Sequence, residues 1–279
     1  MLSAQSEFTK RGTGGAAGMK WETIRTEEDA RGVVTLTFAR PDRLNALTVE
    51  TMREVHLALD ELHGRAGLRL LVLAAEGRHF TAGGDINMFR QMGAAPAEER
   101  LQAALRGSML SHRIASLPCP VVARVQGGAF GGGVTLIAAS DVAIAGTGAR
   151  FAFTELRRGV VPTGALKALL ARIGSATYKR YLFTGETFDA AEAHRIGLID
   201  RAVPDESLDD AVEAAVTGCL GAAPGAAAAV KRALDLYDRS GPDALGIDGL
   251  YAFAESWAGD EGREGAASFL EKRPPGWQA

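Results

Sequence analysis

The sequence predicts an α/β fold that passes into a run of helices, and three observations carry that prediction. Apolar β-like runs alternate with helix-patterned segments up to about residue 145, two of these runs lead into glycine-rich loops, and helical patterning dominates after Leu208. The chain has 279 residues, 47% of them hydrophobic but only 6% aromatic, with 34 glycines. It can therefore bury a sizeable, mainly aliphatic core in which backbones approach closely.

Taken in order, residues 1–18 have no apolar period and include the run Gly12-Thr13-Gly14-Gly15-Ala16-Ala17-Gly18. They read as a disordered leader, with Met19 a plausible native start and folded structure beginning near Lys20. Val33 to Phe38 is a β-branched run, and Arg40-Pro41-Asp42-Arg43-Leu44-Asn45 is a loop by its Pro, Asp and Asn. Thr48 suits a helix N-cap, because Val49, Met52, Val55, Leu59 and Leu62 then share one face. Leu70 to Ala74 reads as a buried strand and Pro96 to Ser116 as a polar helical region. Val121 to Val125 is the next strand, Gly132 to Ser140 a short helix, and Asp141 to Ala145 another strand. After Pro162 helices are broken by Gly174, Gly185, Gly197 and Pro204. A soft boundary is expected near Pro204, giving a core over 19–204 and a helical appendage over 205–279. The alanine run between Ala222 and Tyr237 reads simply as a helix of high propensity.

Composition and spacing exclude several chemistries. A net charge of −3 argues against a nucleic-acid surface, which needs a concentrated basic face. No stretch approaches the roughly 20 apolar residues of a membrane span. Cys119 and Cys219 do not suggest a disulfide framework, so the expected compartment is the reducing cytoplasm. Gly128 to Thr135 nearly spells a phosphate-binding loop, but Val134 stands where its lysine belongs. A dinucleotide fingerprint fails because Ala129 or Phe130 occupies its middle glycine. There is no G-x-S-x-G elbow. The five histidines show no zinc-ligand spacing, so no metal is expected.

The glycine loops remain. Phe80-Thr81-Ala82-Gly83-Gly84-Asp85-Ile86 and Gly127-Gly128-Ala129-Phe130-Gly131-Gly132-Gly133 each follow an apolar run, and Glu155 comes about twenty residues after the second. Two such loops can aim backbone N–H groups at a developing oxyanion, as the enolate of a thioester requires. Each residue also has a plainer reading. Glu155 can be a surface carboxylate paired with Arg157 or Arg158, Gly133 a close-packing position, and Lys272 part of a solvated helix end. Asp85 reads first as a helix N-cap and second as a catalytic acid.

In order and spacing, Arg40 to Leu47, Phe80 to Ile86, Gly127 to Gly133 and Phe269-Leu270-Glu271-Lys272-Arg273 resemble the enoyl-CoA hydratase/isomerase (crotonase) family. The resemblance runs from about Trp21 to Trp277. The run from Phe151 to Pro162 is similar to the branch that includes bacterial methylglutaconyl-CoA hydratases. The resemblance implies a ClpP/crotonase-like spiral of ββα units with a C-terminal helical trimerisation region, assembled as a homotrimer or a dimer of trimers. It also implies an acyl-CoA thioester substrate, with coenzyme A as part of that substrate and no further cofactor. It places the oxyanion-hole amides on Gly84 and Gly132 and the proton-exchanging acid/base on Glu155. Ala82, Gly84, Asp85 and Ile86 fall around the coenzyme A site and Arg43 near its phosphates. Phe253, Phe269 and Lys272 match C-terminal positions that close that site, often from a neighbouring subunit.

One position departs from the two-glutamate hydratases. Thr135 stands where their second glutamate would be, and a hydroxyl can orient water but cannot take its proton near neutral pH. Glu155 would then work alone. The resemblance favours a hydratase, the lone carboxylate favours a double-bond isomerase, and a non-catalytic acyl-CoA-binding homologue is the third reading.

Overall fold

The computed structural model describes residues 21–241 and 245–278; the leader expected over 1–18 lies outside them. β1 (Ile24–Glu28) and β2 (Val33–Phe38) form an antiparallel pair joined by a turn at Gly32, where φ is +76°. After β2 a short 3₁₀ turn at Pro41–Arg43 leads into α1 (Val49–His63). Thr48 caps α1 by accepting from the Thr51 N–H, as expected, and Met52, Val55, Leu59 and Leu62 are buried on its inner face. Glu54 is also buried on α1. It accepts from the Glu22 and Thr23 amides at 2.7 and 2.8 Å and from the Thr23 hydroxyl at 2.5 Å, which satisfies its carboxylate and ties α1 to the start of β1.

β3 (Leu70–Ala75) follows, then α2 (Ile86–Ala94), α3 (Ala97–Ala115) and β4 (Val121–Val125). The second glycine stretch is partly strand: β5 (Gly128–Phe130) runs to Gly131, which starts α4 (Gly132–Ala138). β6 (Val142–Gly146), β7 (Arg150–Ala152) and α5 (Leu166–Thr184) come next, α5 being broken at Gly174, where φ is +71°. β8 (Phe188–Asp189), α6 (Ala190–Arg195) and β9 (Arg201–Val203) precede the C-terminal helices α7 (Leu208–Leu220), α8 (Pro224–Ser240), α9 (Gly246–Ala258) and α10 (Asp260–Glu271).

The main sheet has the order β1-β2-β3-β4-β6-β9, parallel from β2 onward, and β5, β7 and β8 make a smaller second sheet. β3 is buried along its whole length because both faces of the sheet are covered. Leu71 and Leu73 join the core formed with α1, α3, α4 and α5, while Leu70, Val72 and Ala74 face α7 through Leu208, Val212 and Val216. Truncating Leu71 or Leu73 to Ala costs roughly 2–5 kcal/mol. The boundary expected near Pro204 falls between β9 and α7, so the first helix of the C-terminal region forms the second face of the sheet. Among the described residues no single helix is long and apolar enough to cross a membrane.

Candidate active site

Both glycine loops leave the carboxyl ends of neighbouring parallel strands, β3 and β4, where open α/β sheets gather ligands. They are zipped together. The Phe80 N–H donates to Gln126 O at 2.9 Å, the Thr81 N–H to Gly128 O at 3.1 Å and the Phe130 N–H to Thr81 O at 3.1 Å. His79 Nδ1 accepts from the Gly128 N–H at 2.6 Å, and burial together with the nearby Arg78 charge holds its imidazole below the usual range. Fully buried Thr81 donates its hydroxyl to Asn45 O at 2.7 Å and accepts from the Gly83 N–H at 3.1 Å. Asn45 in turn donates to Glu76 O and His79 O at 2.8 and 2.9 Å, strapping the 40–47 segment to the first loop.

This lattice leaves two amides over. The Leu47 N–H donates to Gly83 O and the Asp85 N–H to Leu47 O, so Gly84 is passed by in the ladder. Gly132 begins α4, where no preceding turn offers a carbonyl. Among the described residues neither N–H donates within the chain. Gly84 and Gly132 are also half-exposed, whereas Gly83, Gly131 and Gly133 are buried. Leu47 lies between them, pairing with Gly84 through its backbone; a Cβ on Gly132 would meet only its Cδ1, at 3.3 Å. A Cβ on Gly133 would stand 2.4 Å from Thr81 Cγ2, so Gly133 serves close packing.

Glu155 follows β7 and starts a 3₁₀ turn over Leu156–Arg158. The Gly131 N–H donates to Ala152 O at 2.9 Å, which holds this segment against the second loop. The surface pairing considered for Glu155 does not form: Arg157 donates to Thr184 O at 2.9 Å and Arg158 to Thr154 O at 3.4 Å. Glu155 Oε2 is buried without a hydrogen-bond partner. Burial raises its carboxyl above the ordinary range, opposed in smaller measure by the backbone at residues 155 and 154 and by the Arg158 charge.

Gly84, Gly132, Thr135 and Glu155 line one cavity of about 510 Å³. Its remaining wall is mostly apolar, with Met52, Met88, Phe89, Met92 and Leu101 prominent, and Glu155 is its one carboxylate among the described residues. Two preorganised donors and a desolvated acid/base around an apolar chamber suit chemistry through an enolate.

A family model described as enoyl-CoA hydratase/isomerase matches residues 28–279. The chain belongs to that family. A Mycobacterium tuberculosis protein named "Probable enoyl-CoA hydratase echA8" is 35% identical over 92% of this chain and 98% of its own length. The short-chain-enoyl-CoA hydratase of Clostridium acetobutylicum is 28% identical over 91% and 97%. Among solved structures, Pseudomonas aeruginosa AtuE superposes with a TM-score of 0.87 at 34% identity, covering 92% of this chain and all of that one. An enoyl-CoA hydratase from Shewanella pealeana gives 0.87 at 29% identity, covering 92% and 97%. The crotonase fold expected from the sequence is the fold of this enoyl-CoA hydratase/isomerase family member.

The other residues that the resemblance singled out lie outside the cavity wall. Arg43 is exposed in the 3₁₀ turn, and Ala82 donates its N–H to Leu44 O. Asp85 is a helix cap, the first of its two readings: it accepts from the Asn87 N–H at 2.8 Å and sits 3.9 Å from Arg40. Ile86 is exposed beside it. Phe253 on α9 and Phe269 on α10 are 62% and 83% exposed, and Lys272 ends α10 in the left-handed region at φ +55°. Sequence reasoning missed the methionine wall and Arg158, which also lines the cavity. The signal for the wall was the spacing of Met88 and Met92 on one helix face; α2 itself went unread because none of its residues is buried.

Proposed function

We propose that this protein is an enoyl-CoA hydratase that adds water reversibly to a 2-enoyl-CoA with Glu155 as its single acid/base. The observation that carries the reading is the opening of two unengaged amides, Gly84 and Gly132, into the cavity that holds Glu155 as its one carboxylate among the described residues. In the proposed step the Glu155 carboxylate takes a proton from water while the oxygen adds to the β-carbon of the enoyl group. The electron pair moves to the thioester oxygen, where the two amides stabilise the enolate. Glu155 then returns the proton to the α-carbon, so one H and one OH are added in all. Thr135 holds the attacking water in place. Arg43, Ala82, Asp85 and Ile86 are proposed to flank coenzyme A.

Isomerisation is the second reading, favoured by Thr135 in place of a second acid, since one carboxylate can lift a proton from one carbon and return it to another. Incubating the protein with a panel of enoyl- and 3-hydroxyacyl-CoAs, with mass detection of hydration, isomerisation and CO₂ loss, separates the two. A panel that is bound but never turned over would leave only the non-catalytic acyl-CoA-binding reading.

The C-terminal helices are proposed to assemble with further copies as a trimer or dimer of trimers. Support comes from Leu250, Phe253, Trp257, Phe269 and Leu270, all exposed in the single chain, and from α9, which buries none of its residues. Light scattering tests it, and a stable monomer at micromolar concentration would overturn it. The reducing cytoplasm is the proposed compartment, supported by two free cysteines, Cys119 and Cys219.

A further inference from the structure

Two buried side-chain polar atoms among the described residues have no hydrogen-bond partner: Glu155 Oε2 and the Tyr178 hydroxyl. Buried polar groups are almost always paired, so each such atom calls for an account. The Glu155 charge acts on the Tyr178 hydroxyl. Tyr178 lies on α5, 2% exposed, with its ring edge-on to Phe153 at 5.1 Å and 85°, two residues before Glu155 in the chain. Burial, and then the Glu155 charge, push the phenol up to about 12. A phenol in that range keeps its proton at neutral pH and acts as a donor.

We infer that Tyr178 is a positioning residue for Glu155, its hydroxyl acting as a donor on the Oε2 side of the carboxylate and leaving Oε1 to face the substrate. The inference rests on the acid/base role proposed above. Oε1 is the oxygen turned toward the second glycine loop, since a Cβ on Gly131 would lie 3.2 Å from it. Tyr178 does not line the cavity, so it cannot reach the reacting carbons and does not replace the missing second acid. Its effect passes through the rotamer and proton affinity of Glu155. The other groups facing that carboxylate leave this role open. Arg158 acts on it from its own turn, α3 brings Arg100 to the cavity wall, and α4 brings the Thr135 hydroxyl but no charge.

Tyr178→Phe removes the hydroxyl and keeps the ring against Phe153. The direct readout is the protonation midpoint of Glu155, followed by infrared difference spectroscopy of the carboxyl band with Glu155→Gln as the blank. Losing a donor to the ionised form moves the midpoint to higher pH in Tyr178→Phe. With turnover, kcat falls roughly ten- to a hundredfold while KM holds, and the acid limb of the pH profile moves with the midpoint. Phe153→Leu, which loosens the same ring packing but keeps the hydroxyl, leaves the midpoint in place. An unmoved midpoint in Tyr178→Phe, or the same movement in Phe153→Leu, overturns the inference. Retained turnover in Glu155→Gln would instead overturn the acid/base reading, and the infrared test, which needs no substrate, would still decide the Tyr178 contact.

Discussion

Glu155 rests its carboxylate where Gly131 lacks a side chain, with 3.2 Å between Oε1 and a Cβ built on that glycine. Gly131 combines φ +51° with ψ −119°, a backbone conformation that side chains disfavour. Gly131→Ala therefore costs roughly 1–3 kcal/mol of stability in backbone strain. It also displaces the carboxylate, so kcat falls more than affinity for an acyl-CoA. Urea unfolding and steady-state kinetics on the same preparation check both effects.

Glu155→Gln abolishes turnover and leaves acyl-CoA affinity largely intact, because the amide keeps the shape but cannot exchange a proton. The stability effect has the opposite sign. Burial raises the folded-state value of Glu155 above the ordinary glutamate value of 4.5, so the stability linked to its protonated form is fully present below 4.5 and is lost as pH rises through the raised value. Glu155→Gln escapes that loss. Its melting temperature exceeds the parent's near neutral pH, and the two curves converge in acid. A variant less stable than the parent at neutral pH would show that the buried carboxylate is better solvated than its unpartnered Oε2 implies.

His79 supplies a second pH dependence, on the scaffold rather than the chemistry. Its neutral ring accepts a hydrogen bond from the buried Gly128 N–H, and its folded value lies below the ordinary histidine value of 6.5. A depressed value means that its stability contribution is present above 6.5 and is lost as pH falls from there through the folded value. His79→Ala leaves the Gly128 N–H without its acceptor at a cost of about 1–3 kcal/mol near neutral pH. The variant also loses part of the parent's decline in acid. Denaturant titrations between about pH 5 and 8 measure both.

The parts of this architecture that were legible in the sequence are those where local chemistry and burial agree. Thr48 and the apolar face behind it give α1, and the unbroken run at Leu70 to Ala74 gives β3, because that strand is covered on both faces. β1 went unread because Ile24 is its only buried residue, and β9 because three residues at a sheet edge carry no period. β5 was hidden by glycine, which is poor strand material in isolation and is held here by pairing with β7 and Thr81. At the candidate site, motif spacing singles out Gly84, Gly132, Thr135 and Glu155, and the four line one cavity. Tyr178 was not legible, because a tyrosine on an inner helix face reads as core until the position of its hydroxyl is known.

Thr135 is the residue on which the two proposed reactions differ. It lines the cavity three residues after Gly132, at the position where a second carboxylate would share the handling of water. Thr135→Ala removes the hydroxyl and little volume, so α4 and the Gly132 amide stay in place. If Thr135 orients the attacking water, hydration falls by more than tenfold, equivalent to about 1.4 kcal/mol of transition-state stabilisation. Any double-bond isomerisation survives, because that route moves one proton through Glu155 and uses no water. Following both products by mass from one enoyl-CoA separates these outcomes in a single experiment. Parental hydration in Thr135→Ala would remove the threonine from the mechanism and leave water to be held by Glu155 alone.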